Sequence, residues 1–334
     1  MTDSGALPRI DYFALGGTIA SVSEAGREGA APALSAAGIL KSVPGLSGLA
    51  RIKAHQFLQA PSVEITLADL FRLHRAIGTA VSEGACGIVI SQGTDTLEES
   101  AFVLDLLWDG AAPLVLTGAM RNPSLAGADG PANLEAAIRT ALGAEARNCG
   151  VVIVFNDEIH AARFARKMHT SSPAAFQSPL AGPIGWISEG RVRLVTRPAP
   201  RRHLAVPEGA EIPPVALVKM GMGDDGRLLA SAAGLGYRGL VLEAFGGGHM
   251  PAASLPILEE LSAAIPVVLT SRIGTGEILR ETYRFPGGEM SLLAIGLIHG
   301  GMLDGLKARL LLTLCLTCGM DRRQIAKMFA ATAG

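Results

Sequence analysis

"CGIVISQGTDTLEES", residues 86–100, passes from an unbroken apolar run into a glycine, two threonines and three carboxylates. An apolar run without alternation marks a strand buried on both faces, which occurs where helices cover a parallel sheet. After it, Leu97, Ala101, Leu104 and Trp108 recur at helical spacing, with Glu98 and Glu99 in the first turn, where the helix dipole favours anions. The stretch therefore predicts strand, turn, helix. The same grammar recurs around it. "IDYFAL" (10–15), "APLVLTG" (112–118) and "GVVIVFN" (150–156) read as further buried parallel strands. Within "TLADLFRLHRAIGTAVSEG" (66–84), the residues Leu67, Leu70, Phe71, His74, Ile77 and Val81 mark a helix. This alternation predicts a doubly wound α/β domain with right-handed crossovers.

The composition changes at "VTRPAPRRHLAVPEGAEIPP" (195–214), whose prolines and charges read as a linker. The expected organisation is a larger N-terminal doubly wound domain over 1–194 and a smaller C-terminal α/β domain over 215–334. In the latter, "VALVKM", "GLVLEAFG" and "IPVVLTS" are expected strands, and "DGLKARLLLTLCL" and "DRRQIAKMFA" closing helices.

The 334 residues are 49% hydrophobic, 18% charged and only 4% aromatic, so aliphatic side chains must fill a globular core. A net charge of −1 gives no bulk attraction to nucleic acid or an anionic membrane. "MTDSGALPRIDYFALGG" lacks the basic start and long apolar core of a secretory signal. No apolar run reaches the ~18 residues of a membrane span. Of the four cysteines, Cys315 and Cys318 are close, but a buried helix explains them better than a metal or redox pair. A reducing cytoplasm is the expected setting.

In an open α/β sheet, ligands bind beyond the carboxyl ends of the strands, and Thr94 and Asp95 fall at such an end. A plainer reading makes Thr94, Asp95 and Thr96 turn or cap residues. The first strand also ends in a hydroxyl, in "FALGGTIAS", where Thr18 follows Gly16 and Gly17. Paired glycines allow a tight turn and close approach of a substrate to the main chain. Neither G-x-G-x-x-G nor G-x-x-x-x-G-K-[ST] is present there, so a phosphate loop is disfavoured.

"LGGTIAS" and "SQGTDTLEES", followed in order by "TGAMRNPSLAGADGPANL" and "FNDEIHAARFARKMHT", resemble the signature regions of bacterial-type L-asparaginases. The resemblance is dense from about residue 10 to 190 and weaker, though colinear, beyond. It implies hydrolysis of asparagine to aspartate and ammonia without a metal or organic cofactor. Thr18 would be the nucleophile, and Thr94, Asp95 and Lys167 a second group in which the lysine activates a hydroxyl or water. Ser62, in "QAPSVEIT", would bind the substrate's α-carboxylate and Asp95 its α-ammonium. Backbone N–H groups around Thr94 and Ala119 would face the oxyanion. Those residue types suit the chemistry: a neutral hydroxyl needs a base or proton relay, and a lysine serves when its surroundings ease loss of its proton.

The resemblance also implies self-association as a homodimer or homotetramer, with a neighbour's C-terminal domain completing each site. Here the chain departs from the pattern. Gly247, in "FGGGHM", falls near the position of an asparagine, while Glu277, Glu281 and Tyr283 compete for that of an acidic residue. "SVSEAGREGAAPALS" (21–35) reads as a lid, yet lacks the tyrosine many family members carry; Arg27 or Glu28 would shape it instead. Asp129 is read as either an activating group or a helix-start residue, and His160 and His169 lack a convincing third ligand for a metal. Two rivals stand beside the asparaginase reading. One is hydrolysis of glutamine or another small amide on the same scaffold, and the other is a non-catalytic metabolite-binding α/β protein.

Overall fold

The burial expected of "IDYFAL" is complete in strand β1 (Arg9–Gly16), where Ile10, Tyr12, Phe13, Ala14 and Leu15 are all buried. The computed structural model describes residues 7–23, 29–199 and 202–333. They form two compact units, Met1–Pro200 and Arg201–Gly334.

In the first unit, β1 is followed by β2 (Arg51–Ala60), α1 (Leu67–Ser82), β3 (Gly87–Ser91), α2 (Leu97–Leu107), β4 (Leu114–Thr117), α3 (Gly130–Leu142) and β5 (Val151–Phe155). Strands β6 (Glu158–Ala161), β7 (Gly185–Ser188) and β8 (Arg191–Leu194) complete one eight-stranded sheet, ordered β8-β7-β6-β5-β4-β3-β1-β2. From β2 to β5 neighbouring strands are parallel. The chain leaves β1 for β2 on one side and returns to β3 on the other. The carboxyl ends of β1 and β3 thus flank the topological switch point, where a doubly wound sheet opens a crevice.

Local chemistry explains the elements. Helix α1 begins with a capping box: the Asp69 N–H donates to the Thr66 hydroxyl and the Thr66 N–H to the Asp69 carboxylate. Such a cap contributes about 1 kcal/mol. Helix α2 is buried almost all round, as its nearly continuous apolar sequence requires. On the face that carries Tyr12, Leu134, Ala137 and Ile138 of α3 join Val89, Val115 and Val152 in one core cluster.

Two features go beyond the sequence reading. Strand β2, "RIKAHQFLQA", has no fully buried residue, because it is the sheet edge, where polar side chains protect unpaired backbone. After β5 the sheet turns antiparallel. Asn156 and Asp157 both have positive φ (51° and 62°), the two-residue hairpin geometry whose twist matches the flanking strands.

The second unit has four parallel strands in chain order, β9 (Val215–Lys219), β10 (Gly239–Ala244), β11 (Val267–Ser271) and β12 (Ile298–His299). Helices α4 (Leu255–Ala264), α5 (Gly305–Thr317) and α6 (Arg322–Ala333) accompany them. Cys315 is buried in α5 and Cys318 follows its last turn; both are free thiols, and burial pushes the Cys315 thiol up to about 12. "FGGGHM" is a tight turn closed by hydrogen bonds between Phe245 and His249. Among the described residues no helix is long and apolar enough to cross a membrane.

Candidate active site

Four strand ends meet through glycines. Gly17 has φ 82°, and a Cβ on it would lie 2.1 Å from the Gly93 nitrogen. No side chain fits there, so the turn after β1 rests directly on the turn after β3. Thr18, next in the chain, opens a short 3-10 turn and is partly exposed. A Cβ on Gly93 would in turn lie 2.8 Å from Ser62 Oγ, at the end of β2. One on Gly118, at the end of β4, would come within 3.4 Å of the Thr94 side chain. The pairing of small residues draws Thr18, Ser62, Thr94 and Ala119 to one place.

The cap reading of Thr94, Asp95 and Thr96 does not hold, since none of their side chains caps the turn or α2. Lys167 Nζ instead donates to Thr94 Oγ1 at 2.8 Å and to Asp95 Oδ1 at 2.6 Å. The Thr96 hydroxyl donates to the Ser62 carbonyl at 2.8 Å and latches the β2 end to the β3 end. Ser62 is 3% exposed. The Lys167 side chain is 16% exposed and that of Asp95 64%, so the ion pair has a shielded cation and a solvent-facing anion. Exposed pairs of this sort contribute little to stability. A cavity of about 390 Å³ beside the pair is lined by Asp95, Glu98, Lys167, Met168, His169 and Thr170.

Ala119 is buried, and among the described residues its N–H meets no acceptor. The loop around it is braced. Asp129 accepts from the N–H groups of Met120 (3.0 Å) and Arg121 (2.8 Å) and from Asn133 Nδ2 (3.1 Å). Asn133 also donates to the Gly118 carbonyl and accepts from the Asn156 N–H at 2.9 Å. Asp129 thus combines its place at the start of α3 with an orienting role toward Ala119. A buried backbone donor with no partner is the feature an oxyanion would fill.

The remaining candidates lie elsewhere or serve structure. His160 is buried and held near 4 by that burial, with Nδ1 against Ser178 Oγ at 3.0 Å, so it stays neutral. His169 Nδ1 accepts the N–H groups of Ser171 and Ser172, shaping its own loop. Glu277 pairs with Arg280, and Tyr283 packs edge-on to His249 in the second unit. The segment read as a lid is flanked by a short ladder, Ser21–Ser23 against Ala30–Pro32; Arg27 and Glu28 lie outside the described residues. Sequence reading missed the bracing role of Asn133 and the hydrogen bond that Glu98 Oε2 accepts from the Lys167 N–H at 2.8 Å. The only signal for Asn133 was its place within "GPANL", and Glu98 was fully accounted for by the helix dipole.

The family description "Asparaginase, N-terminal" matches residues 9–200, and "Glutaminase/Asparaginase C-terminal domain" matches 214–329. A probable L-asparaginase of Deinococcus radiodurans is 35% identical over 97% of this chain and 98% of its own. A probable periplasmic L-asparaginase of Haemophilus influenzae is 32% identical over 98% and 94%. The crystal structure of a probable cytoplasmic L-asparaginase from Campylobacter jejuni superposes with a TM-score of 0.88 at 31% identity, covering 97% of this chain and 99% of that one. With both of its halves matched in order, the chain belongs to the asparaginase family.

Proposed function

We propose that the protein hydrolyses L-asparagine to L-aspartate and ammonia, with Thr18 as nucleophile. The observation that carries the reading is the bonded group Lys167–Thr94–Asp95 set against the turn that presents Thr18. Thr18 Oγ attacks the side-chain amide carbon and gives up its proton as the carbonyl oxygen becomes an oxyanion. The free N–H of Ala119 faces that oxygen; one such donor supplies about 3–4 kcal/mol. The C–N bond breaks and the nitrogen leaves, protonated, as ammonia. Water then attacks the threonyl ester, restoring the Thr18 hydroxyl and releasing aspartate. Lys167 and Thr94 are 2.8 Å apart, close enough to pass the protons these steps exchange. Ser62 holds the α-carboxylate. Asp95 has one oxygen on Lys167 and its other turned to no described residue, which leaves it for the α-ammonium.

Residues 1–194 act as the catalytic domain in this reading, 195–214 as linker and 215–334 as the second domain. Four free cysteines and the name of the Campylobacter relative support a cytoplasmic setting. The test is ammonia release from asparagine, glutamine and a panel of small amides. Asparagine should give the highest kcat/KM. One methylene is worth about 1–3 kcal/mol in a shaped pocket, so glutamine should follow roughly 10- to 100-fold lower. Equal turnover of glutamine would replace the asparagine preference with a broader amidase, and no ammonia from any amide would end the enzymatic reading.

A further inference from the structure

We propose that Glu98 is a positioning residue for Lys167: it fixes the lysine's backbone by accepting its main-chain N–H, without touching substrate. The proposal rests on Lys167 being the proton-handling group of the site.

Lys167 belongs to a strand of only two residues, Arg166–Lys167, paired antiparallel with Phe176–Gln177. So short a ladder constrains little by itself. The Met168 N–H donates to the Ala175 carbonyl at 2.7 Å. Hydrogen-bonded and non-hydrogen-bonded pairs alternate along antiparallel strands, so the neighbouring Lys167–Phe176 pair is non-hydrogen-bonded. The Lys167 N–H therefore points away from its partner strand. Left bare in a half-buried place, such a donor costs about 1–3 kcal/mol. Glu98 Oε2 accepts it at 2.8 Å, across 69 residues of sequence.

Glu98 is 8% exposed and stands in the first turn of α2, just past Asp95. One helix start thus grips one lysine at both ends: its backbone through Glu98, its Nζ through Thr94 and Asp95. The Nζ end alone is a weak anchor, because Asp95 is largely exposed. A dipole role alone would not single out Glu98, since Glu99 occupies the same turn.

Two conservative variants separate reach from charge. Glu98→Asp keeps the charge and shortens the reach by one methylene; Glu98→Gln keeps an oxygen at full reach and loses the charge. Misplacement by about 1 Å can cost on the order of 10²-fold, so Glu98→Asp should lower kcat roughly 10- to 100-fold. Because the loss is confined to the transition state, KM for asparagine should stay within about threefold. Glu98→Gln should remain within about fivefold of the parent, since a neutral acceptor is weaker than a charged one but still present. Circular dichroism and aspartate binding check that both variants are folded. Wild-type kcat in both, equal losses in both, or the reverse order would each overturn the proposal. Lys167→Met tests the underlying reading apart from Glu98: if it keeps full activity, the role given to Lys167 fails whatever the Glu98 variants do.

Discussion

In the proposed mechanism Thr18 and Lys167 carry different parts of the chemistry, and single substitutions separate them. Thr18→Val replaces a hydroxyl by a methyl of similar shape, so the fold should survive while turnover stops; near-normal ammonia release would remove Thr18 from the nucleophile role. Lys167→Met removes both the charge and the proposed proton-transfer group at 2.8 Å from Thr94. General acid–base assistance contributes about 10²–10⁴-fold, and kcat should fall into that range while aspartate still binds. Lys167→Arg should not restore it, since arginine keeps the charge but does not readily release a proton and carries a wider, planar head. An active Lys167→Arg enzyme would show that charge suffices. Thr18 was legible as a hydroxyl at a strand end after paired glycines, and Lys167 only through the family resemblance of its motif. Asn133 and Glu98 were not, because their meaning lies in partners brought near by folding. Glu98 meets Lys167 across 69 residues, and Asn133 meets Asn156 across 23.

At the scale of elements, the edge strand β2 is held by charge as well as by its ladder to β1. Asp11 is fully buried in β1; it accepts from Arg9 Nε at 2.6 Å and from His55 Nε2 of β2 at 2.7 Å, while the His55 ring stacks on Phe13 at 4.4 Å. Burial alone pushes the Asp11 carboxyl up, but hydrogen bonds from Arg9 and then His55 outweigh it, and its pKa lies below the usual aspartate value. A carboxylate with a lowered folded pKa stabilises the fold above its unfolded value, near 3.9, and that contribution is lost as pH falls through the folded pKa. Thermal unfolding followed from pH 7 to pH 2 should therefore show a drop below about pH 4 that is smaller in Asp11→Asn, the remainder coming from Asp69 and Glu289. At pH 7 that variant should be less stable, because the Arg9 guanidinium loses its closest anion and keeps only the exposed Glu83 at 3.3 Å. An unchanged acid profile would show that the triad adds nothing. The four inner parallel strands were legible from their apolar runs, broken only by Asp11 in β1, since burial on both faces writes itself into nearly every residue. Strand β2 was not, because an edge strand with exposed lysine, histidine and glutamine carries no such run. The hairpin at Asn156 and Asp157 lay hidden for another reason: its signal is a backbone angle, which Asn and Asp permit without requiring.

For the whole molecule, the second unit supplies a physical argument for association. Met222 is 97% exposed and Ile273 60%. They follow β9 and β11, parallel strands separated by β10 alone, so both stand at the carboxyl edge of one sheet. Two strand spacings put those edges about 10 Å apart. Large apolar side chains left in water on one edge of a sheet are where a covering surface would gain most from burial. A second copy of the chain fits the family resemblance, and a net charge of −1 offers no long-range repulsion against it. Sedimentation should therefore give a dimer or tetramer. Met222→Lys with Ile273→Lys should shift the mass toward monomer, since desolvating two lysines in an apolar contact is costly. The free chain should barely notice, because substitutions at such exposed positions change folding stability by about 0.5 kcal/mol or less. If association also completes the active site, kcat/KM for asparagine should fall with the assembled fraction and recover at higher protein concentration. A fully active parent protein at monomer mass would defeat the prediction.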